Sequence, residues 1–504
     1  MPSAMPRSVF IRLDTRAGEP LQARIYESIR RAILDGVLSP GARLTSSRAL
    51  ATELGVSRTT ALLALEQLTA EGYLVARRGS GTYVSDELPD DLPRAGLAPP
   101  GGEPRHPPIS RRAAAQAAIP LIARRCPGPP RAFRLGVPAL DLFPMRHWSQ
   151  LIARRVRSLT FSQLDYSYSA GLTALREAAA AHVQSARGTR CTPDQIVIVA
   201  GSQRGIELTC DIVLDQGDEA WMEEPGYAGM RSALVRSGAH IVTGPVDEEG
   251  LVVENLTRQG ANARLVCLTP SHQFPTGVPL SLPRRLALLR WAATARAWIL
   301  EDDYDSEYRY GARPVPCLHG LDVDGRVIYV GSFSKTLFPA LRLGFLIVPA
   351  DLHETVLRIR RTSDQHPPVL EQAVLAEFMA GGHYERHLRR LRAASRERLE
   401  AMVDAAGRHC GNALRVRPLH SGLHAVADLD ESAPAELVSR EALERGVEVM
   451  PLSAYYQTPR GTANALVLGF AAIRPEAMGP GMERLAAAIE SARASGKSER
   501  RRRA

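Results

Sequence analysis

Short apolar runs typical of strands alternate with helix-length stretches over most of this 504-residue sequence, and this pattern constrains the fold most. Five such runs lie at residues 195–200, 265–268, 297–300, 327–330 and 343–348. This alternation predicts a mostly parallel sheet with covering helices, an α/β domain that we expect to span residues 131–490. In its C-terminal part we expect a helical stretch and a smaller α+β portion.

A lysine among small residues follows the run at 327–330. Ser332, Ser334 and Lys335 come directly after this strand, and Arg342 follows the lysine. In open α/β sheets, ligands bind beyond the carboxyl ends of the strands. The lysine amine can form a Schiff base with an aldehyde, while the hydroxyls and the guanidinium can hold a phosphate. The stretch therefore indicates a site for pyridoxal 5'-phosphate (PLP), although it is also typical of a solvated loop.

Small polar residues also follow the run at 195–200. Gly201, Ser202 and Gln203 stand at a predicted turn from strand to helix. Glycines at such a turn expose backbone N–H groups, and a helix N-terminus favours an anion, so these residues are candidates for phosphate binding. A tight turn without a ligand is the alternative.

Carboxylates at positions 301–303 and the phenol of Tyr304 follow the run at 297–300. PLP needs a carboxylate at its pyridine nitrogen, because the protonated ring is the electron sink. One aspartate can supply it, and Tyr304 can hydrogen-bond the 3-oxygen of the ring. A metal site or a solvated acidic loop is the alternative, but no histidine lies within ten residues of these carboxylates. Tyr227 either stacks on the pyridine ring or packs within its loop.

The N-terminal residues 1–85 predict a small winged helix. Apolar residues at a spacing of four indicate a first helix over 20–36, and two shorter helices over 48–54 and 57–71 form a helix-turn-helix. In the third helix we expect Leu62, Leu65 and Leu68 to face inward. Two short strands, 73–76 and 82–84, would enclose a basic turn.

This small domain offers basic and hydroxyl side chains to DNA. The first turn of a recognition helix contacts base edges in the major groove, where arginine can pair with guanine, and further arginines contact phosphates. The predicted DNA-binding residues are Arg48, Ser57, Arg58, Thr59, Thr60, Arg77, Arg78 and Gly79. A protein-interaction module with a solvated basic face is the alternative.

Composition limits the remaining possibilities. The net charge of +9 fits a polyanionic partner. The six cysteines show neither C-x-x-C spacing nor histidine clustering, so we expect no metal site and no disulfides, and a reducing compartment. Without an apolar leader or membrane span, a cytoplasmic protein is expected. Residues 86–130 resemble a flexible linker in composition, and residues 491–504 a basic disordered tail.

Two known families resemble parts of the chain. The segment from Leu21 to Val84 resembles the winged-helix DNA-binding domain of the GntR superfamily, most specifically at 44–51 and 54–60. Residues from about 133 to 487 resemble fold-type I PLP enzymes, the aspartate aminotransferase class. The first resemblance implies double-stranded DNA as a partner. The second implies PLP as cofactor and a homodimer, because the site in these enzymes lies at a dimer interface.

The second resemblance also implies roles for individual residues. Lys335 would form the Schiff base with PLP, Asp302 would pair with the pyridine nitrogen, and Tyr304 with the 3-oxygen. Tyr227 would stack on the ring. The phosphate would be held by Gly201, Ser202, Gln203, Ser332, Ser334 and Arg342, with Tyr166 reaching the phosphate of the neighbouring subunit.

The sequence departs from these enzymes at two places. Phe274 stands where they have an asparagine that touches the 3-oxygen, and whether His272 or Gln273 substitutes for it stays open. Residues 466–473 contain no arginine at the obvious position for a substrate carboxylate, which leaves Arg474 as the candidate for effector binding.

The order of the parts resembles the MocR subfamily of GntR-type bacterial transcription regulators over nearly the whole chain. This resemblance implies a PLP-dependent, DNA-binding regulator that senses an amine, an amino acid or a vitamin B6 compound. The alternative is a catalytically active aminotransferase that carries a DNA-binding module. A scaffold without PLP is a third interpretation.

Overall fold

The computed structural model of the protein describes residues 20–77, 80–88, 109–119, 128, 130–258, 262–310, 315–419, 421–458 and 463–503. The chain forms two compact units, Met1–Pro108 and Ile109–Ala504. Within the described ranges, no helix combines the length and the apolar character needed to cross a membrane.

The first unit is a helix-turn-helix with a two-stranded wing, as predicted. It consists of α1 (Leu21–Leu34), α2 (Ser47–Leu54), α3 (Arg58–Ala70) and the antiparallel strands β1 (Leu74–Arg77) and β2 (Gly81–Val84). Ser57 caps α3 by accepting a hydrogen bond from the backbone N–H of Thr60. Gly55 ends α2 with a φ of +64°, which allows the tight turn into α3.

The core of this unit differs from the prediction at one residue. Ile25, Ile29, Leu65 and Leu68 are buried as expected. Leu62 is 38% exposed, so its predicted inward orientation is wrong. The buried stripe of α3 contains the small residues Ala61 and Ala64 beside Leu65 and Leu68, which lets the helices approach closely and turns Leu62 toward solvent.

The second unit is built on an eight-stranded sheet, which confirms the predicted α/β class. Its strands are β3 (Ile196–Val199), β4 (Glu219–Glu224), β5 (His240–Asp247), β6 (Gly250–Leu251), β7 (Leu265–Leu268), β8 (Trp298–Asp303), β9 (Val327–Ser332) and β10 (Gly344–Ile347). Their order is β3-β10-β9-β8-β7-β4-β5-β6. The central pairs are parallel, whereas β10 is antiparallel to both β3 and β9, and β6 is antiparallel to β5.

Strands β4 and β5 were not among the predicted runs. Glu219, Glu223 and Glu224 interrupt the apolar pattern of β4, although Trp221 and Glu223 are buried in it. Strand β5 begins with a histidine and contains a glycine and a proline, residues that weaken a strand pattern.

Helices surround this sheet and a smaller antiparallel one. The helices are α4 (Arg111–Ala117), α5 (Met145–Arg157), α6 (Phe161–Leu164), α7 (Thr173–Arg187), α8 (Ser202–Val213), α9 (Ala228–Ser237), α10 (Val253–Arg258), α11 (Leu282–Ala295), α12 (Leu318–Leu321), α13 (Ala350–Thr362), α14 (Val369–Ala380), α15 (His383–His409), α16 (Ala435–Glu444) and α17 (Met478–Arg503). The smaller sheet has the order β11-β12-β14-β13, from β11 (Leu414–Val416), β12 (His424–Leu429), β13 (Met450–Pro451) and β14 (Ala465–Gly469). This is the predicted C-terminal α+β portion.

Two segments with a loop-like or tail-like composition contain helix. Helix α4 lies inside the predicted linker, is capped by Ser110, and contacts α9 through a hydrogen bond from Gln116 to Ser232. Helix α17 continues to Arg503, so the prediction of a disordered tail from residue 491 is wrong for its backbone. The tail contains five arginines and three alanines, residues that favour the continuation of a helix.

Candidate functional site

The ends of β3, β9 and β8 bring the predicted site residues together, with β10 lying between β3 and β9. Gly344, the first residue of β10, is opposite Val199 on β3 and opposite Ser332 on β9. On the other side of β9, Asp303 of β8 is in register with Gly331. The turn after β3, the lysine segment after β9 and the carboxylates of β8 therefore share one edge of the sheet, where ligands of such sheets bind.

The turn after β3 and Arg342 form one cradle. Gly201 precedes α8 with a φ of +83°, and a Cβ built on it would lie 3.1 Å from the Cζ of Arg342. The Nη2 of Arg342 donates to the carbonyl oxygen of Ala200 at 3.2 Å. Among the described residues, no carboxylate lies within 4.0 Å of this guanidinium, so the start of α8 and a cation face the same space. An anion such as a phosphate fits it.

Gly344 joins the cradle to the serines after β9. A Cβ on Gly344 would lie 3.1 Å from the backbone nitrogen of Ser202, so only a glycine allows β10 to pass so close to the start of α8. Ser332 is buried, and its hydroxyl accepts a hydrogen bond from the backbone N–H of Ser334 at 3.2 Å. Ser332 ends β9, Ser202 and Ser334 follow strands that end at this edge of the sheet, and the contacts of these serines with a phosphate stay a prediction.

Gln203 is engaged elsewhere. Its amide nitrogen donates to the carbonyl oxygen of Gly229 at 3.0 Å, and its Oε1 accepts from the hydroxyl of Tyr227 at 3.3 Å. The ring of Tyr227 lies edge-on to Phe274, with 5.8 Å between the ring centroids. Gln203 therefore orients Tyr227 through its side chain.

The three carboxylates of β8 are all buried but differ in their partners. Glu301 accepts hydrogen bonds from the backbone N–H groups of Leu318 and His319 at 3.0 and 2.8 Å. Asp303 forms an ion pair with Arg187, its Oδ2 lying 2.6 Å from the Nε. The Oδ1 atoms of Asp302 and Asp303 are both buried without a hydrogen-bond partner among the described residues. Asp303 is bonded through its Oδ2, whereas Asp302 has no hydrogen bond or ion pair to any described residue.

The surroundings of Asp302 leave it in need of a cationic donor. Burial raises its pKa to about 8, the neighbouring Asp303 contributes in the same direction, and Lys335 acts in the opposite direction. A buried carboxylate oxygen without a partner is costly. A protonated pyridine nitrogen would offer both a hydrogen-bond donor and a positive charge, so the residues present fit PLP.

Lys335 lies in the loop after β9. Its Nζ donates to the carbonyl oxygen of Gly136 at 2.9 Å, and its own carbonyl oxygen accepts from the hydroxyl of Tyr308. A Cβ at Gly136 would come within 2.8 Å of the Nζ, and Gly136 has a φ of +72°. The amine is therefore held on a short glycine turn rather than in bulk solvent.

Tyr304 contacts His272 rather than Gln273. The hydroxyl oxygen of Tyr304 lies 2.9 Å from the Nδ1 of His272. Gln273 is engaged instead with the carbonyl oxygen of Pro225 and with the backbone N–H of Thr276. Of the two candidates for the missing asparagine, His272 is the one that reaches the phenol.

His272 also belongs to a cluster that was not predicted. His272, Asp305 and His424 are buried and each places one polar atom within 4.8 Å of the others. They are far apart in the sequence and come from three different parts of the fold, so no local spacing could have indicated the cluster.

Two predicted residues lie apart from these strand ends. Arg474 is on the surface and its Nε pairs with Asp141 at 3.3 Å, which does not support its prediction as an effector ligand. Asp141 also accepts two hydrogen bonds from the buried Arg398, which fixes the carboxylate that Arg474 pairs with. Tyr166 is 80% exposed, and its predicted contact with a second copy of the chain stays a prediction.

In the first unit, the described residues among those predicted to bind DNA lie in α2, at the start of α3 and at the end of β1. Arg48, Arg58, Thr59 and Arg77 are exposed, and the guanidinium of Arg77 lies over the ring of Tyr83 at 4.9 Å. Ser57 and Thr60 share the cap of α3, with their hydroxyl oxygens 2.7 Å apart. Arg78 and Gly79 lie outside the described residues.

Both units match known families. Residues 21–84 match the family described as "Bacterial regulatory proteins, gntR family", and residues 133–484 match "Aminotransferase class I and II". The second unit is similar in structure to LysN, an alpha-aminoadipate aminotransferase from Thermus thermophilus complexed with N-(5'-phosphopyridoxyl)-L-leucine. The TM-score is 0.66 at 30% identity, and the match covers 72% of this chain and 92% of LysN.

Full-length relatives combine both parts. The "Probable rhizopine catabolism regulatory protein MocR" of Rhizobium meliloti is 37% identical over 485 residues, which is 96% of this chain and 97% of the relative. The "HTH-type transcriptional regulator TauR" of Rhodobacter capsulatus is 35% identical over 479 residues, which is 93% of this chain and 96% of the relative.

A winged helix-turn-helix joined to a fold-type I aminotransferase-like domain defines a DNA-binding transcription regulator. The chain belongs to the MocR subfamily of GntR-type bacterial transcription regulators.

Proposed function

We propose that this regulator binds PLP at Lys335 and uses the site to sense an amine, an amino acid or a vitamin B6 compound. The observation that supports it most directly is that the buried Asp302 has no hydrogen bond or ion pair to any described residue. Its neighbours on β8 are already bonded to other protein groups. Asp302 is therefore the carboxylate suited to a protonated pyridine nitrogen.

The scarcity of lysine supports covalent chemistry at position 335. Lysine occurs at only two positions in the sequence, Lys335 and Lys497, among 63 lysines and arginines in total. Arginine can replace lysine as a positive charge, but its guanidinium is always protonated and does not form Schiff bases. A lysine at the strand end is therefore expected to serve as a nucleophile.

When bound, PLP supplies an aldehyde with which an amine can condense. Lys335 would hold the cofactor, and Asp302 would keep the ring nitrogen protonated. The start of α8 and Arg342 would neutralise the phosphate. An effector that binds two states of the protein with different affinity would shift the balance between them, and thereby the affinity for DNA.

The proposal includes a homodimer in the cytoplasm, where bacterial DNA is found. Two copies of the winged helix would read paired half-sites. Tyr166, exposed in one chain, would complete the phosphate site of the other. The exposed aromatic and aliphatic residues around it support this interface; they are Phe161, Leu164, Tyr166 and Tyr168.

An active aminotransferase is the second candidate. A 2-aminoadipate transaminase of Thermus thermophilus is 31% identical over 364 residues, covering 71% of this chain and 90% of the enzyme. Arg474 forms an ion pair with Asp141, which weakens this candidate. The carboxylate of an amino-acid substrate needs a cation close to the site where its amine reacts. Measurable turnover of an amino acid with a 2-oxo acid would favour it.

The visible absorbance spectrum tests PLP attachment. We expect the protein loaded with PLP and dialysed to show a visible band, and Lys335→Ala to lose it. Lys497→Ala, the matched control at the other lysine, should keep it. Borohydride reduction should leave the cofactor mass on the peptide that contains Lys335. A wild-type protein without the band, or a label on Lys497, would contradict the proposal.

A further inference from the structure

We propose that His272, held by Asp305, is a positioning residue that directs the hydroxyl of Tyr304 toward the ring oxygen of the cofactor. This inference rests on the proposed function, because it assigns a partner to the PLP that Lys335 would hold. It assigns a role to the cluster of His272, Asp305 and His424 described above.

The geometry links the three side chains in a row. The Nδ1 of His272 lies 2.9 Å from the hydroxyl oxygen of Tyr304 and 2.9 and 3.2 Å from the two carboxylate oxygens of Asp305. His272 and Asp305 are each 1% exposed. One ring nitrogen therefore faces both an acceptor-only carboxylate and a phenol.

The burial of the other ring nitrogen decides which nitrogen carries the proton. The Nε2 of His272 is buried and has no hydrogen-bond partner among the described residues. A buried N–H without an acceptor is more costly than a buried unpaired acceptor nitrogen, and the carboxylate of Asp305 attracts the proton to Nδ1. The neutral ring with its proton on Nδ1 is therefore the form that satisfies the site.

This proton position determines what Tyr304 can do. If Nδ1–H donates to Asp305 and shares the oxygen of Tyr304, the phenol cannot donate its own proton to His272. Its O–H is then free to point into the pocket, where the 3-oxygen of PLP would accept it. Burial raises the pKa of Tyr304 well above 10, with Asp305 adding to the effect, so the phenol keeps its proton as a donor.

Two glycines make room for the ring of His272 in this position. A Cβ at Gly422 would collide with the Cε1 of His272, and a Cβ at Gly277 would lie 3.0 Å from its Nε2. Gly277 and Gly422 have φ values of +82° and +90°, which other residues rarely adopt. The imidazole thus occupies space that side chains at positions 277 and 422 would otherwise fill.

Several ionisable groups face this row and set its charge. The ring centroid of the buried His424 lies 5.0 Å from that of His272, and burial lowers the pKa of His424 well below 6.5, so it stays neutral. Burial raises the pKa of Asp305, whereas His272 opposes this. The other charged groups near the row are Asp302, Asp303, Glu223, Glu307 and Lys335.

The test is the pH midpoint of the visible band of the PLP-loaded protein. A hydrogen bond to the ring oxygen favours its ionised form and holds this midpoint low. We expect His272→Leu to raise the midpoint by about one pH unit, because Tyr304 loses its orienting donor. His272→Gln, which keeps a side-chain donor, should have a midpoint close to that of the wild-type protein. His240→Leu, at an exposed histidine of β5, should leave the midpoint unchanged.

A double variant separates positioning from a merely structural effect. Tyr304→Phe should raise the midpoint in the same direction, and His272→Leu combined with Tyr304→Phe should add nothing further, because both act on one hydrogen bond. Additive shifts, or no shift in His272→Leu while the wild-type band is intact, would overturn the role of His272. The proposed function would not be affected. A band altered by a chelator would also overturn this role, by showing that the cluster holds a metal. Absence of the band in wild type would overturn the proposed function and the inference together.

Discussion

Asp302→Asn should stabilise the cofactor-free protein at alkaline pH and, at the same time, lower its affinity for PLP by about tenfold or more. The two effects have opposite signs because the carboxylate is unsatisfied without the cofactor and needed with it. Its Oδ1 is buried without a partner among the described residues, and the side chain is 4% exposed. Few structural carboxylates would give this pair of results.

The pH dependence follows from the raised pKa. Burial raises the pKa of Asp302 from 3.8 to about 8 in the folded protein. Asp302 therefore makes its full contribution to the stability of the folded protein below pH 3.8. That contribution is lost as the pH rises towards 8. An asparagine never ionises, so the stability advantage of Asp302→Asn should grow over this window and reach about 1–3 kcal/mol above it.

Glu301→Gln is the matched control for this prediction. Glu301 is adjacent in β8 and fully buried, but it already accepts two backbone hydrogen bonds. Replacing one carboxylate oxygen by an NH2 group should destabilise the protein by about 1–3 kcal/mol. Denaturant titrations between mildly acidic and alkaline pH, with PLP titrations by absorbance, measure both variants. Destabilisation by Asp302→Asn at alkaline pH without PLP would contradict the assigned role.

Arg58→Ala should weaken sequence-specific DNA binding by about 1–3 kcal/mol and relax the base preference at one position of each half-site. Arg58 is the first residue of α3, is exposed, and follows the Ser57 cap that fixes the helix start. The N-terminal residues of a recognition helix are the ones that reach base edges.

Arg31→Ala is the control, because it removes the same charge from the same unit without touching α3. Arg31 lies in the last turn of α1 and pairs with Glu27 at 3.8 Å. It should change only the salt-dependent, sequence-independent part of binding. Fluorescence anisotropy with a duplex selected in vitro by the wild-type protein would compare the two. Equal losses in both variants, with no change in base preference, would show that α3 does not read the sequence.

Local sequence patterns predicted those features whose residues lie close together along the chain. The polar residues at the ends of β3, β8 and β9 each follow an apolar run, so Gly201, Asp302 and Lys335 could be found from the strand that precedes them. The helix-turn-helix was predictable for the same reason, since its caps and turn lie within residues 46–60.

Features that depend on distant contacts were not predictable. His272 meets Asp305 and His424 only after the chain has folded, and the pairing of Arg474 with Asp141 joins positions 333 residues apart. The antiparallel placement of β10 between β3 and β9 also has no local signal, because an apolar run does not indicate strand direction. Leu62 was misplaced because leucine and alanine satisfy the same helical pattern.

We propose that occupancy at Lys335 controls binding to DNA, and fluorescence anisotropy can measure this coupling. The affinity for the selected duplex is measured by anisotropy with PLP alone, and then with each amine that alters the visible spectrum. We expect at least one such amine to change the affinity severalfold in the wild-type protein and in Lys497→Ala, but to have no effect in Lys335→Ala. An equal response in Lys335→Ala, or an affinity that no spectrally active amine changes, would contradict it.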